Sequence, residues 1–215
     1  MAFPSGAVPG IDVSHHQEVV NWSAVATAGE AFAYAKVSEG ASVPDVYFAD
    51  NWSGMSKASI LRGAYHFFHP SVDAAIQATF FLRRFAAANG GSTLLAHGDL
   101  PIALDLEITE GVSPANIIAG ASTWLTTVAQ ATGRKPMLYT YPSFWKSSLG
   151  NPQDLASYPL WIAELEIAAP KVPGGWTDWL FWQYDQQNVS GISTGPADVD
   201  AFKGTISDLR KLAGY

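Results

Sequence analysis

Asp105 and Glu107 close the run Leu100-Pro101-Ile102-Ala103-Leu104-Asp105-Leu106-Glu107, an apolar segment that ends in two carboxylates one residue apart. A run this apolar reads as a buried strand, and the helix-opening pair Ser113-Pro114 limits its length. Side chains alternate along a strand, so the two acids share a face, with Cα atoms roughly 6–7 Å apart. Acids placed so are costly unless they are solvated, paired or used. The octapeptide alone leaves open exposed loop acids, a strand-end salt bridge, or a general acid beside a partner carboxylate. The last would suit hydrolysis of a glycosidic bond, which needs a protonated acid for the leaving oxygen and negative charge near the developing oxocarbenium carbon. A carboxyl crowded by apolar groups and other anions keeps its proton near neutral pH.

The elements that must carry these acids alternate. Strands are expected at Val8–Ser14, Ala31–Val37, Gly63–Phe68, Leu100–Glu107 and Pro136–Tyr141. Helices are expected at Val19–Ala28, Val46–Ala58, Ala74–Ala88 and from Ser113-Pro114 to about Thr132, the last with a capping residue, Pro at its first position and Gly133 as its stop. In the third of these, Ile76, Phe80, Phe81 and Phe85 should share the buried face. Then the rhythm changes. Strands at Pro159–Ala163, Trp179–Tyr184 and Ala197–Val199 are joined by short segments rich in Pro, Gly and Asn, and a helix at Ile206–Leu212 closes the chain. Five βα units followed by three strands with loop connections predict one α/β domain over residues 1–215, an irregular β/α barrel of about eight strands. An open doubly wound sheet is the alternative, but no Gly-rich phosphate loop follows the first strand. In such barrels the working face is where strands end, and Asp12, Glu39, Asp105, Glu107, Tyr141 and Asp198 all fall at or just beyond such ends.

The totals narrow the function. The 215 residues carry a net charge of −7, which argues against nucleic acid and against capture by anionic surfaces. There is no cysteine, hence no disulfide framework and no thiolate chemistry, and no Gly-x-Ser-x-Gly elbow. Eight tryptophans suit a carbohydrate groove or an aromatic core. No stretch approaches about 18 continuous apolar residues, so no membrane span is expected. The opening Met1–Gly6 has no basic segment and no long apolar one, so it does not read as a signal peptide. His15-His16, and His66 with His69, point to opposite faces of a strand and would not chelate easily, so no metal and no cofactor is expected.

Gly10-Ile11-Asp12-Val13-Ser14-His15-His16-Gln17 with Asn21-Trp22 resembles the opening of glycoside hydrolase family 25, the Chalaropsis-type lysozymes. Ala35–Gly40, Arg62–Phe67, Leu104–Glu107, Pro159–Ala163, Phe181–Tyr184 and Gly195–Phe202 resemble its later motifs, in order, over nearly the whole chain. The resemblance implies hydrolysis of the β-1,4 bond between N-acetylmuramic acid and N-acetylglucosamine in bacterial peptidoglycan. It makes Glu107 the general acid, Asp105 its partner carboxylate, and Asp12 and Asp198 the two further acids of the catalytic face. The family mechanism is usually written as retaining, with the substrate's own acetamido oxygen as one candidate nucleophile. Two places depart from the family pattern. Leu165 stands where a Tyr is frequent, and Asp198-Val199-Asp200 stands where Asp-x-Asn is frequent, leaving Asp200 as an extra acid.

Tyr65, Tyr141, Trp182 and Tyr184 are sugar platforms, hydroxyl donors or core residues on this reading. Lys36 and Glu39 are either a sugar contact or a structural pair. The expected partner is the glycan strand of the bacterial cell wall, met by a secreted or phage-released monomer. Two rivals remain: another acetamido-sugar glycosidase of chitinase type, although the longer Asp-x-x-Asp-x-Asp-x-Glu signature is missing, and a barrel that binds cell-wall glycan without turning it over.

Overall fold

The computed structural model describes residues 3–215. Met1 and Ala2, and with them the reading of the amino terminus as no signal peptide, lie outside the described residues. The chain runs β1 (Val8–Val13), α1 (Trp22–Thr27), β2 (Phe32–Glu39), β3 (Val43–Pro44), α2 (Phe48–Lys57), β4 (Leu61–Phe67), α3 (Ala74–Ala88), β5 (Ala103–Asp105), α4 (Pro114–Thr132), β6 (Met137–Thr140), β7 (Leu160–Ala163), β8 (Phe181–Gln187), β9 (Ala197–Phe202) and α5 (Ile206–Leu212). The sheet order is β1-β9-β8-β7-β6-β5-β4-β2, and pairing of β1 with β2 closes it into an eight-stranded barrel. The two-residue β3 is an extra strand, paired antiparallel with Ser38 and Glu39. Only β9 runs against its barrel neighbours, β8 and β1. After β6 the expected helical unit shrinks to a single π-helical turn, Phe144–Ser148.

Alternation along each strand sorts the apolar residues into two cores. Phe32, Tyr34, Met137, Trp161, Phe181 and Phe202 fill the barrel interior. Ala33, Ala35, Leu104, Leu106, Ile162 and Trp182 face outward into a second layer with Phe81, Phe85 and Trp124 from α3 and α4. Each large side chain so buried contributes roughly 1.5–3 kcal/mol by leaving water. Glycine makes room for the interior aromatics: a Cβ on Gly10 would lie 2.5 Å from the Phe32 ring, and one on Gly63 2.1 Å from the Tyr34 ring.

Three local expectations need correction. Phe80, Phe81 and Phe85 of α3 are buried as expected, but Ile76 is 57% exposed, and Gln77 and Ala78 complete the buried stripe in its place. The Ser113 side chain makes no capping bond, although Pro114 does open α4 and Gly133 closes it in the left-handed conformation. The run is buried from Leu100 to Leu106 and opens at Glu107, but only Ala103–Asp105 forms strand β5, because Pro101 has no N–H to give to a ladder.

Candidate active site

The same parity that fills the barrel places the acids. On β1, Ile11 and Val13 pack outward, so Asp12 points inward. On β5, Leu104 and Leu106 pack outward, so Asp105 points inward, and Glu107 follows it on the same side just past the strand's end. The hydroxyl of Thr140 on β6 donates to the Leu106 carbonyl at 2.9 Å and anchors the backbone that leads into Glu107. Asp198 begins β9 rather than ending a strand. Because β9 is antiparallel, its first turns of chain lie at the mouth where the parallel strands finish, with Asp198 in register with Asp12.

All four acids line one cavity of about 320 Å³ at that mouth, together with Lys36, Tyr65, Tyr139 and Gln183. A larger cavity, about 660 Å³, lies at the other end of the barrel. It gathers no such set of acids, and its Arg62 is committed to Asp99 at 2.7 Å.

The electrostatics follow from crowding and burial. Burial, then the charge and the hydrogen bond of Glu107, hold the Asp105 carboxyl well above the usual carboxylate range. Burial and the charge of Asp198 raise Glu107 as well, while its hydrogen bond to Asp105 and the charge of Lys36 act the other way. Two carboxyl groups in hydrogen-bond contact titrate as a unit, so the pair retains one proton where isolated acids would both be ionised. Burial also raises Asp12, helped by the charge of Asp198, and raises Asp198 itself. Tyr139 feels Glu107, Asp105, Asp12 and Asp198 after its own burial, and all of these hold it as a phenol.

Hydrogen bonds set the orientations. Gln183 Nε2 donates to Asp12 at 2.7 Å, and Tyr139 donates its O–H to the Gln183 amide oxygen at 3.0 Å. Gln186 Nε2 donates to Asp198 at 2.8 Å. Lys36 Nζ donates to Glu39 at 2.6 Å and sits 5.0 Å from the centre of the Phe67 ring.

The other sequence candidates divide. Tyr65 and Lys36 line the cavity. Tyr141 is half-buried beside it, its hydroxyl 3.4 Å from the Glu107 carbonyl oxygen. Glu39 meets the site through Lys36. Trp182 and Tyr184 do not reach it: they have outward parity on β8 and lie in the layer under the helices, Trp182 donating to the Glu164 carbonyl at 2.9 Å. The inward residue between them is Gln183, which sequence reasoning passed over along with Tyr139, Trp161 and Phe67. The signal was the outward apolar neighbours: Leu138 before Tyr139, Leu160 and Ile162 around Trp161, and Trp182 and Tyr184 around Gln183 leave the residue of opposite parity facing inward. Leu165 lines the cavity at the place of the missing Tyr.

A closed β/α barrel with two neighbouring carboxyl groups of raised pKa at the strand ends, flanked by two more acids, has the makings of a glycoside hydrolase. The profile described as glycosyl hydrolases family 25 matches residues 11–192, and the chain belongs to that family. It is 35% identical to lysozyme M1 of Streptomyces globisporus over 97% of this chain and 72% of that protein. It is 34% identical to the N,O-diacetylmuramidase of a Chalaropsis species, over 96% of this chain and 99% of that one. Among solved structures, the bacterial lysozyme of Streptomyces coelicolor superposes with a TM-score of 0.89 at 35% identity, covering 98% of both chains.

Proposed function

We propose that this chain is a muramidase that hydrolyses the β-1,4 bond between N-acetylmuramic acid and N-acetylglucosamine of bacterial peptidoglycan, with Glu107 as general acid and Asp105 as its partner. The observation that carries the reading is the convergence of Asp12, Asp105, Glu107 and Asp198, drawn from three strands, on one cavity. In the empty groove the shared proton favours Asp105, the more deeply buried of the two. An acetamido N–H arriving at Asp105 would favour its ionised form and leave the proton on Glu107, where the leaving oxygen needs it. Hydrogen-bond contact between Asp105 and Glu107 leaves no sugar ring's width between them. That favours Asp105 orienting the substrate's own acetamido oxygen over Asp105 attacking directly, since direct attack calls for carboxyls about 5–5.5 Å apart. Asp12 and Asp198 supply the negative field for the oxocarbenium-like state, and Tyr65, Tyr141 and Lys36 border the sugar.

Mass spectrometry of fragments released from purified peptidoglycan tests this. Muramic acid at the new reducing end is the expected result. Glucosamine there would make the chain a different acetamido-sugar glycosidase, and no release would leave a glycan-binding barrel. The site of action on this reading is the bacterial cell wall.

A further inference from the structure

Asp200 is a fully buried acid of β9 that the mechanism above does not use. It stands two residues below Asp198 on the same face of β9 and has no exposed surface. In the sheet it lies opposite Gly10 on one side and Gln183 on the other. Its Oδ1 accepts from Trp161 Nε1 at 2.8 Å. Its Oδ2 is buried and has no hydrogen-bond donor among the described residues. Yet the carboxyl of Asp12 is within hydrogen-bonding reach.

Two ionised carboxylates in contact at such depth repel strongly, and an oxygen left without a donor there adds a further penalty. One proton between them removes both costs. It belongs on the deeper partner. Asp12 is 7% exposed and borders the groove, where water reaches it, and it already accepts from Gln183, so it tolerates the charge better. We propose that Asp200 is a carboxylic acid that keeps its proton throughout the working range and donates it to Asp12, making Asp200 the positioning residue that holds Asp12 as an anion aimed at the groove. Burial first, then the charge of Asp12, keep the Asp200 carboxyl well above the usual range. Of the groups around it, Asp12 on β1 and Asp198 on its own strand raise it, the Trp161 N–H lowers it, and Tyr34 on β2 and Tyr184 on β8 are held as neutral phenols. Without this donor, Asp12 would itself take up a proton, and the field that favours the proton on the Asp105–Glu107 pair would weaken.

The inference rests on the muramidase reading only for its kinetic consequence. Where the proton sits is read without substrate. Infrared difference spectra of the full chain near neutral pH should show a protonated-carboxyl C=O band that disappears in Asp200→Asn; persistence of every such band in that variant overturns the assignment. The kinetic arm compares pH profiles. Asparagine donates N–H as the acid donates O–H and carries the same charge, so Asp200→Asn should leave the alkaline limb of kcat in place. If Asp200 were ionised, the variant would remove a negative charge and the limb would move to lower pH, which also overturns the proposal. Asp200→Val, with no donor, should lose about tenfold or more in kcat with little change in KM, and the asparagine variant should rescue it. If the valine variant does not fold, the band and the asparagine profile still decide. A wild-type chain that releases no fragments would sink the muramidase reading and leave the spectroscopic result standing.

Discussion

Lys36 and Glu39 form an ion pair at 2.6 Å that joins the groove to a second chain of charges leading away from it. Glu39 accepts from His69 at 2.9 Å, the other nitrogen of His69 lies 2.7 Å from Glu110, and Glu110 receives both the N–H and the hydroxyl of Ser71. The end of β2, the loop after β4 and the loop after β5 are thereby tied into one rim. Lys36 is the one lysine or arginine among the described residues lining the cavity, so the balance of charge there is four acids against one cation.

That balance sets a pH prediction. Lys36 lowers the pKa values of both Asp105 and Glu107. Removing it in Lys36→Met should therefore raise both further and move the whole bell-shaped profile of kcat/KM to higher pH, by about half a unit to one unit. The bell should also shrink, because Glu39 loses one of its two partners and keeps only His69. A profile that stays in place, measured at constant ionic strength, would show that Lys36 does not act on the pair.

Glu107→Gln removes the transferable proton but keeps the shape of the groove. The expected loss in kcat is about 10²–10⁴-fold, with glycan binding retained. Asp105→Asn should cost less if an acetamido oxygen is the nucleophile, because an amide still positions it through a hydrogen bond. Equal activity of Glu107→Gln and wild type would remove Glu107 from the mechanism.

How much of this was legible beforehand depended on whether local chemistry or parity decided it. The bounds of α3 and α5 followed from periodicity and from Gly90-Gly91 or the chain's end, and the eight-stranded barrel from alternation of elements, whereas the antiparallel course of β9 was not legible. In the buried stripe of α3 only Ile76 was misplaced, because Gln77 takes the inward place, where its amide holds the His69 and Val72 carbonyls at 2.8 and 2.9 Å. Trp182 and Tyr184 were misjudged because Phe181-Trp182-Gln183-Tyr184 carries aromatic rings on both faces, and residue type alone does not say which face is the lumen. Gln183 and Asp200 were missed as partners because what they bond, Asp12 and Trp161, lies far along the chain.

Gly63 tests the interior packing directly. An added Cβ would sit 2.1 Å from the Tyr34 ring, and Tyr34 is held by its hydroxyl bond to the Pro101 carbonyl at 3.0 Å. The ring cannot step aside without giving up that bond. Gly63→Ala should cost about 1–3 kcal/mol and lower Tm by roughly 3–10 °C. An unchanged thermal midpoint would mean that the barrel interior is slacker than this contact implies.

Two histidines should give opposite signatures as pH changes. His66 is fully buried, stacked on Trp124, and burial pushes its pKa down to about 3. Gln77 fixes its tautomer: the amide nitrogen is spent on two carbonyls, so the amide oxygen must accept from His66 Nε2, and Ser38 then donates its hydroxyl to Nδ1. A neutral buried imidazole contributes stability that is present above its unfolded pKa, about 6.5, and is lost as pH falls towards the folded value. For His69, burial opposes protonation, but the hydrogen bonds and charges of Glu39 and Glu110 outweigh it and raise the pKa. Its contribution is fully present below about pH 6.5 and is lost as pH rises through the folded value. Solvent screening at this rim keeps that contribution below about 1 kcal/mol. Nitrogen-detected NMR should find His66 as the Nε2–H tautomer without a titration step between about pH 5 and 8. The stability gap between wild type and His69→Asn should be widest in mild acid and close above neutrality. A gap that instead widened with rising pH would mean that His69 is bound there as the neutral ring, and the rim would not be held by ion pairs.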